Sequence, residues 1–187
     1  MKYLNQITTK SCCVDGQRGS KSANCGADFM PVFIKRTKLN EAEELWKIQK
    51  RSFEEDLAKY KDKTNPGNES LERLKQKIEK SLYFTIYHDD IIIGGVEVRQ
   101  RSDTHYRLNR IYIAPSFQNK GFGFQTIKLV EKQFPKALVW DLDTPHLSYK
   151  NHHLYEKLGY KRVGEQKVSD SLTLVEYLKG QPRGDNK

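Results

Sequence analysis

Between a strand-like run and a helix-like run, the chain reads Gln118-Asn119-Lys120-Gly121-Phe122-Gly123. The first run spans residues 106–115 and the second spans residues 124–134. Glycine permits backbone conformations that a Cβ would block, and it lets main-chain N–H groups approach a ligand closely. The helix that follows adds free N–H donors and the positive end of its dipole, which suit a phosphate group. This loop therefore predicts an anion site, with the side chains of Gln118 and Lys120 as further donors at its rim.

Other glycine-rich loops bind phosphate, and two of them can be compared directly. The run Gly121-Phe122-Gly123 begins like a dinucleotide fingerprint, but Thr126 stands where that fingerprint needs its third glycine. The sequence contains no Gly-x-x-x-x-Gly-Lys-Ser/Thr run, which excludes a P-loop. Taken alone, the loop leaves open a purely geometric role for its glycines in a strand-to-helix turn.

A second segment makes the loop more informative. It reads Tyr155-Glu156-Lys157-Leu158-Gly159-Tyr160 and follows the loop along the chain. Together with the Ile-x-Ile-Ala-Pro run at 111–115 and the Gln-x-x-Gly-x-Gly loop, it resembles the GNAT superfamily of N-acetyltransferases in order and spacing. The resemblance covers residues 31–179. It implies an α/β (α+β) fold with a mixed, mostly antiparallel seven-stranded sheet and about four helices, splayed between strands 4 and 5.

The apolar periodicity and the turn residues agree with this order of elements. Asn40 is predicted to cap a helix over 41–53, the polar segment 54–68 ends in a turn at 65–68, and Ser70 caps or begins a helix that runs to Ser81. The predicted strands, with the first starting at Met30, include 83–87 and 91–99 as a hairpin around 88–90, and then 137–143, 161–167 and 172–178. Gly94 and Gly95 indicate a bulge or a close backbone approach, and a helix runs through Tyr155.

The ends of the chain differ from the middle in composition. Residues 1–29 show no helical or strand period and are predicted to be a disordered leader: a native extension, the result of a mis-assigned start codon, or a segment added for expression. Residues 30–179 form the predicted acetyltransferase domain, and residues 180–187 form a polar tail. Cys12, Cys13 and Cys25 all fall in the leader, and an adjacent pair with one partner is a poor metal set, so we expect no metal site.

The 187 residues carry a formal net charge of +9, with a pI near 9.3. Such a charge favours polyanions, but no helix-turn-helix, zinc-finger or RNA-recognition signature accompanies it, so we expect no nucleic-acid partner. No apolar run approaches the roughly 20 residues that span a bilayer, and no signal peptide is evident. A cytoplasmic location without a membrane partner is expected by default.

The resemblance implies which residues hold the coenzyme. In the family, main-chain groups of the splayed fourth strand bind pantetheine and the thioester oxygen, and the loop binds the pyrophosphate. Carried onto this sequence, the acetyl-CoA-binding residues are Ile111, Tyr112, Ile113, Gln118, Asn119, Lys120, Gly121, Phe122, Gly123 and Tyr155. Asn151 is added because it lies one helical turn before Tyr155, although the asparagine of many members is replaced by Ser148 in this chain. The alternating apolar residues at 111–113 would equally suit a plain buried strand.

The resemblance also implies a catalytic role for Tyr155, which matches a tyrosine that protonates the leaving thiolate in many members. Packing of its helix is the alternative reading. The general base is ambiguous, because the glutamate of some members is replaced by Arg107. Glu97, Asp141, Asp143 and His146 are substitutes, and we take Asp143 and Glu97 with Tyr155 as the catalytic set. Any one of them is also readily explained as a solvated or salt-bridged residue.

The function implied is an acetyl-CoA-dependent N-acetyltransferase acting on a primary amine of a small molecule or peptide by direct attack. A domain that binds acyl-CoA without this transfer is the alternative. The acceptor amine is not identified by the sequence, because the loops that choose it vary while the fold does not. Whether the chain forms a homodimer also stays open.

Overall fold

The computed structural model describes residues 31–61 and 64–180. The predicted leader with its three cysteines, Met30 and the residues beyond 180 lie outside this part. A single seven-stranded sheet has the order β1-β2-β3-β4-β5-β7-β6, and every neighbouring pair is antiparallel except β4 and β5. The strands are β1 (Val32–Arg36), β2 (Leu82–His88), β3 (Ile91–Gln100), β4 (His105–Ile113), β5 (Val139–Pro145), β6 (Lys161–Lys167) and β7 (Thr173–Gly180).

The described residues contain five α-helices. They are α1 (Ala42–Ser52), α2 (Glu54–Tyr60), α3 (Leu71–Lys80), α4 (Phe122–Gln133) and α5 (Tyr149–Lys157). The mixed sheet of the GNAT fold is confirmed. No helix in the described part of the chain has the length and apolar character needed to cross a bilayer.

Local predictions for the helices were partly wrong. Asn40 does not cap α1, because a short 3₁₀ turn over Leu39–Glu41 precedes the helix and the Lys38 N–H donates to the Glu41 carboxylate at 2.6 Å. Ser70 does cap α3, with its hydroxyl accepting the Arg73 N–H at 3.2 Å. The predicted polar segment after residue 53 contains α2, which accounts for the additional helix.

The β2–β3 hairpin turns through Asp89 and Asp90, both with positive φ, as a type I′ hairpin turn requires. The prediction of a bulge or a close backbone approach at Gly94 and Gly95 is confirmed. The β2–β3 register shifts opposite Gly94, and a Cβ on Gly94 would collide with the Tyr112 carbonyl oxygen. A Cβ on Gly95 would meet the Tyr112 hydroxyl at 2.5 Å, so both glycines let β4 and its side chains pack closely.

Two cores lie on opposite faces of the sheet. The larger core includes residues of α4 and α5 with Ile113 of β4, and the smaller core joins α1 and α3 to Tyr83 and Tyr112. Successive side chains of a strand point to opposite faces, so Tyr112 and Ile113 belong to different layers. β4 therefore contributes to both layers, and its exposed edge lies between them.

That edge is free because β4 and β5 separate. They pair only at His105–Val139, Tyr106–Trp140 and Arg107–Asp141. Beyond these pairs β4 continues beside β3 alone and β5 continues beside β7 alone, which confirms the predicted splay. Asn109 is an extra residue where the β3–β4 register shifts, and such a bulge bends a strand and raises its twist.

Candidate functional site

The loop after β4 is fixed by main-chain geometry and by one side chain. Gly121 adopts φ +79° and Asn119 adopts φ +60°, and α4 begins directly afterwards at Phe122, two residues before the predicted start. The Gln118 side-chain amide donates to the Ile113 carbonyl at 2.8 Å. Gln118 therefore ties the loop to the end of β4 in this structure, and the main chain is left to supply the donors.

Those donors form a continuous set. Within residues 31–61 and 64–180, no acceptor pairs with the main-chain N–H groups of residues 119–124. The first N–H groups of a helix have no intrahelical partner, and the helix dipole makes them an anion site. A Cβ on Gly123 would approach Leu154 of α5 at 3.4 Å and Ile113 of β4 at 3.8 Å. The start of α4 therefore lies where β4, α4 and α5 meet.

The free edge of β4 presents further N–H groups. The Ala114 N–H donates to the Ile93 carbonyl on β3 at 2.7 Å. Because main-chain groups alternate in direction along a strand, the N–H groups of Ile111 and Ile113 face the β5 side, and that of Tyr112 faces β3. The Ile113 carbonyl accepts the Ser52 hydroxyl at 2.9 Å as well as the Gln118 amide. Two of the three predicted strand residues thus direct an N–H into the opening.

Tyr155 projects from α5 and is 6% exposed. Its ring contacts the rings of Tyr160 and Tyr177, each with centroids 6.0 Å away. Burial, together with the negative charge of Asp143, raises the pKa of Tyr155 well above that of a free phenol. Its hydroxyl has no hydrogen-bond partner in the described part of the chain, so at neutral pH it holds a proton that it can donate to a ligand.

Asp143 lies near Tyr155 at the diverging end of β5. Its carboxylate pairs with Arg107, whose guanidinium also donates to Asp141 at 2.6 Å. Burial alone would lower the pKa of Arg107, but Asp143 and Asp141 outweigh this effect and raise it. The Asp143 side chain keeps 31% of its surface exposed, so it combines a fixed position with access to an incoming group.

The other predicted side chains occupy different surroundings. Glu97 is fully buried and accepts hydrogen bonds from Asn109 at 2.8 Å and Arg99 at 3.2 Å. His146 is half-buried, with its ring 6.2 Å from that of Tyr60. Asn151 donates to the Thr144 hydroxyl at 3.2 Å and so links α5 to β5. The structure brings Tyr155 and Asp143 together and encloses Glu97 beneath neighbouring side chains.

Lys120 and Phe122 contribute little through their side chains to the loop's donor set. The Lys120 ammonium lies 5.5 Å from the centre of the Phe117 ring. The Phe122 ring is 7% exposed and packs against His88 at 4.6 Å. Ser52, which sequence reasoning missed, holds the end of β4 from α1, 61 positions away, and no local pattern indicates that contact.

Comparison with known proteins identifies the family. The model of the acetyltransferase (GNAT) family matches residues 42–160. The chain belongs to the GNAT acetyltransferase family. Its GNAT fold is shared with the PaiA N-acetyltransferase of Thermoplasma acidophilum, solved with coenzyme A, at a TM-score of 0.66 and 20% identity over 81% of this chain and 100% of that one.

Two further GNAT structures are similar. The acetyltransferase of Bacillus anthracis gives a TM-score of 0.65 at 16% identity, over 80% of this chain and 94% of that one. YncA of Salmonella typhimurium, a putative acetyltransferase solved with acetyl-CoA, gives a TM-score of 0.64 at 12% identity, over 82% of this chain and 96% of that one. The uncharacterised Bacillus subtilis protein YrkN is 31% identical over 85 residues, which is 44% of this chain. The match spans less than half of YrkN, at 46% of its length.

Proposed function

We propose that this GNAT protein is an acetyl-CoA-dependent N-acetyltransferase that acetylates a primary amine of a small molecule or peptide by direct attack in a ternary complex. The observation that carries the proposal is the uninterrupted set of unpaired N–H groups at residues 119–124, next to the unpaired edge of β4. Together they form a path of donors from an anion site to a strand edge between two buried layers. Every helix begins with unpaired N–H groups, so the feature that supports the proposal is the extension of the donor set through residues 119–121 and its place beside the free edge of β4.

The residues present fit the coenzyme. The positive φ of Gly121 turns the main chain into α4, and the absence of a side chain at Gly123 leaves space at the start of that helix. We assign the pyrophosphate to the N–H groups of 119–124, and the pantetheine arm to the N–H groups of Ile111 and Ile113. When bound, acetyl-CoA supplies the acetyl group as a thioester.

Proton transfer is then assigned to two side chains. A protonated amine cannot attack a carbonyl, so its proton must first be removed, and we assign this step to the Asp143 carboxylate. The Tyr155 hydroxyl gives its proton to the leaving thiolate, which suits a phenol that stays protonated at neutral pH. Arg107 holds Asp143 in place through their ion pair. Because Glu97 is fully buried, it is the less suitable of the two predicted carboxylates for the role of the base.

Calorimetric titration with acetyl-CoA and a thiol-release screen against a panel of amines test the proposal together. We expect binding, and release that depends on an added amine. Absence of binding would overturn the proposal. If acetyl-CoA binds but no amine causes thiol release, the alternative is favoured, namely a GNAT domain that binds acyl-CoA without this transfer. This alternative is supported by Arg107, which stands where some members of the family have a glutamate.

A further inference from the structure

A cavity of about 360 Å³ opens on the face of the sheet covered by α1 and α3. Its walls come from the loop residues 64–66 and 68–70, from Arg73 and Lys77 of α3, and from Arg110 of β4. Binding sites for small molecules start at about 300 Å³, so an amino acid or the end of a short peptide fits this space.

The charges around this cavity do not balance. Glu69 is the one carboxylate among the described residues that line the cavity, and three cations surround it: Arg110 at 2.5 Å, Arg73 at 3.8 Å and Lys77 in direct contact. Burial alone would raise the pKa of Glu69, but Lys77 and Arg110 outweigh it and lower the pKa, so the carboxylate is ionised. Glu97, whose charge also acts on Arg110, has its own partner in Arg99. Among the described residues, two of the three positive charges are not balanced by a carboxylate, and one of these cations, Arg73, is 74% exposed.

Arg110 uses only part of its guanidinium. Its side chain is 10% exposed, and Nη1 donates to Glu69 and to Gln49 at 2.9 Å. Nε and Nη2 donate to no acceptor in the part of the chain that the structure describes. These two nitrogens are not among the buried unpaired atoms of the described residues, so they are open to the cavity. A guanidinium presents five N–H groups in a planar fork that matches a carboxylate. The unused side of the fork is therefore available to an anionic ligand.

The position of Arg110 connects this cavity with the proposed reaction. Arg110 lies beyond the last residue of β4 that pairs with β5, directly before Ile111. Ile111 directs its N–H to the strand edge, while the Arg110 side chain donates to Gln49 of α1 and to Glu69 in the segment before α3. A group bound by Arg110 is thus held beside the strand edge to which we assign the pantetheine arm.

We infer that the acceptor amine carries a carboxylate, which Arg110 and Lys77 bind in this cavity while the amine reaches the edge of β4. The inference rests on the proposed function. It names the acceptor class as amino acids or peptides with a free carboxylate close to the reacting amine. Neutral amines and polyamines should be poorer acceptors, because they leave the excess positive charge uncompensated.

Matched probes test this with the full-length protein. Glycine, β-alanine, 4-aminobutyrate and lysine are each compared with their carboxamides by nuclear magnetic resonance of the arginine Nε–Hε groups. Arg110→Lys identifies the signal of Arg110. We expect at least one carboxylate to shift that signal saturably, with an affinity at least about tenfold above that of its amide. No shift with any carboxylate, or equal affinity for the amide, would overturn the inference.

Two lysine variants on one helix control for general electrostatics. Lys77→Met removes a cation from the cavity wall, whereas Lys75→Met removes one from an exposed position on α3. Only Lys77→Met should weaken carboxylate binding, and neither should change acetyl-CoA binding, which also shows that both variants are folded. If both variants weakened carboxylate binding equally, net charge alone would explain the effect and the proposed site would be rejected. If the parent bound the carboxylates but not acetyl-CoA, the proposed function would fail and the anion site would stand without its acceptor role.

Discussion

Tyr155 is the residue whose surroundings best match a single chemical step. Its raised pKa keeps the phenol protonated across the neutral range. Tyr155→Phe removes one oxygen, so we expect the single-turnover rate of acetyl transfer to fall about 10²-fold or more, with acetyl-CoA affinity and melting temperature nearly unchanged. Tyr106→Phe, at another buried tyrosine on β4, is the matched control. A parental rate in Tyr155→Phe from about pH 6 to 9 would assign the residue to packing.

A complementary prediction concerns Asp143, to which we assign removal of the proton from the amine. Its carboxylate is partly exposed and held by Arg107, so Asp143→Asn should lower acetyl transfer about 10²-fold while acetyl-CoA still binds. Glu97→Gln is the comparison, because this carboxylate is fully enclosed by its partners. Its main expected effect is on stability, measured by urea unfolding. The base would be assigned to Glu97 instead if Glu97→Gln lost acetyl-transfer rate at unchanged stability while Asp143→Asn kept the parental rate.

Asp141 should affect stability rather than chemistry. Burial would raise its pKa, but Arg107 and Arg101 outweigh burial and lower it. A carboxyl group with a lowered folded-state pKa stabilises the fold above its unfolded pKa of about 3.9, and this stability is lost as the pH falls through the folded value. Asp141→Asn should cost about 2 kcal/mol in urea unfolding at neutral pH, and the difference should shrink in acid.

The exposed pair of Glu43 and Lys47 provides a control for that prediction. The pKa of Glu43 is also lowered by its lysine, but both side chains are largely in water, where ion pairs are screened. Glu43→Gln should therefore change stability less than Asp141→Asn at neutral pH. A loss for Asp141→Asn that is the same in acid as at neutral pH would show that shape, and not charge, explains the effect.

At the scale of elements, the start of α4 is the part of the site most open to a direct test. Gly123→Glu adds volume and a negative charge where unpaired N–H groups converge, and its Cβ meets only the flexible end of Leu154 at close range. We expect acetyl-CoA affinity to fall at least about tenfold in calorimetry. Gln133→Glu adds the same charge at the exposed far end of α4 and should bind normally. Unchanged binding by folded Gly123→Glu would reject the loop assignment.

The sequence predicts elements well where the apolar repeat is regular and long. It failed for α2, whose segment is mostly polar and whose position depends on distant contacts. The Tyr60 ring packs against His146, and the Tyr60 carbonyl accepts the Ser171 hydroxyl, 111 positions away. The bulge at Asn109 was equally hidden, because a shift in register depends on both strands and leaves no local pattern.

The same limit applies to the candidate site. Motif spacing indicated the loop and Tyr155, because both depend on neighbouring residues in one turn or helix. Motif spacing left four candidates for the base. Asp143 and Glu97 differ in solvent exposure, and the exposure of a side chain depends on the tertiary structure and not on local sequence. Arg110, Glu69 and Lys77 come from three elements, so their juxtaposition follows only from the folded chain.

At the scale of the whole molecule, three residue pairs join the two parts of the sheet. The larger core spans this junction, with Ile86 of β2 and Tyr177 of β7 in the same cluster. The ion pairs from Arg107 to Asp141 and Asp143 begin where strand pairing ends. Side chains therefore hold the two parts together beyond that point, and the opening between the strands stays free for a ligand.

The net charge of +9 belongs to the molecule as a whole and leads to the last prediction. A protein that neutralises 6–10 phosphates of DNA loses about 10³–10⁵-fold in affinity between about 50 and 200 mM salt, because condensed counterions are released. Coenzyme A is a small anion held by fixed N–H groups, so its affinity should fall only a few-fold over the same range, as expected from screening. Titrations of acetyl-CoA and of a random DNA duplex across this range make the comparison. DNA affinity that exceeds that of acetyl-CoA and persists at about 200 mM salt would make nucleic-acid binding the better explanation of the charge.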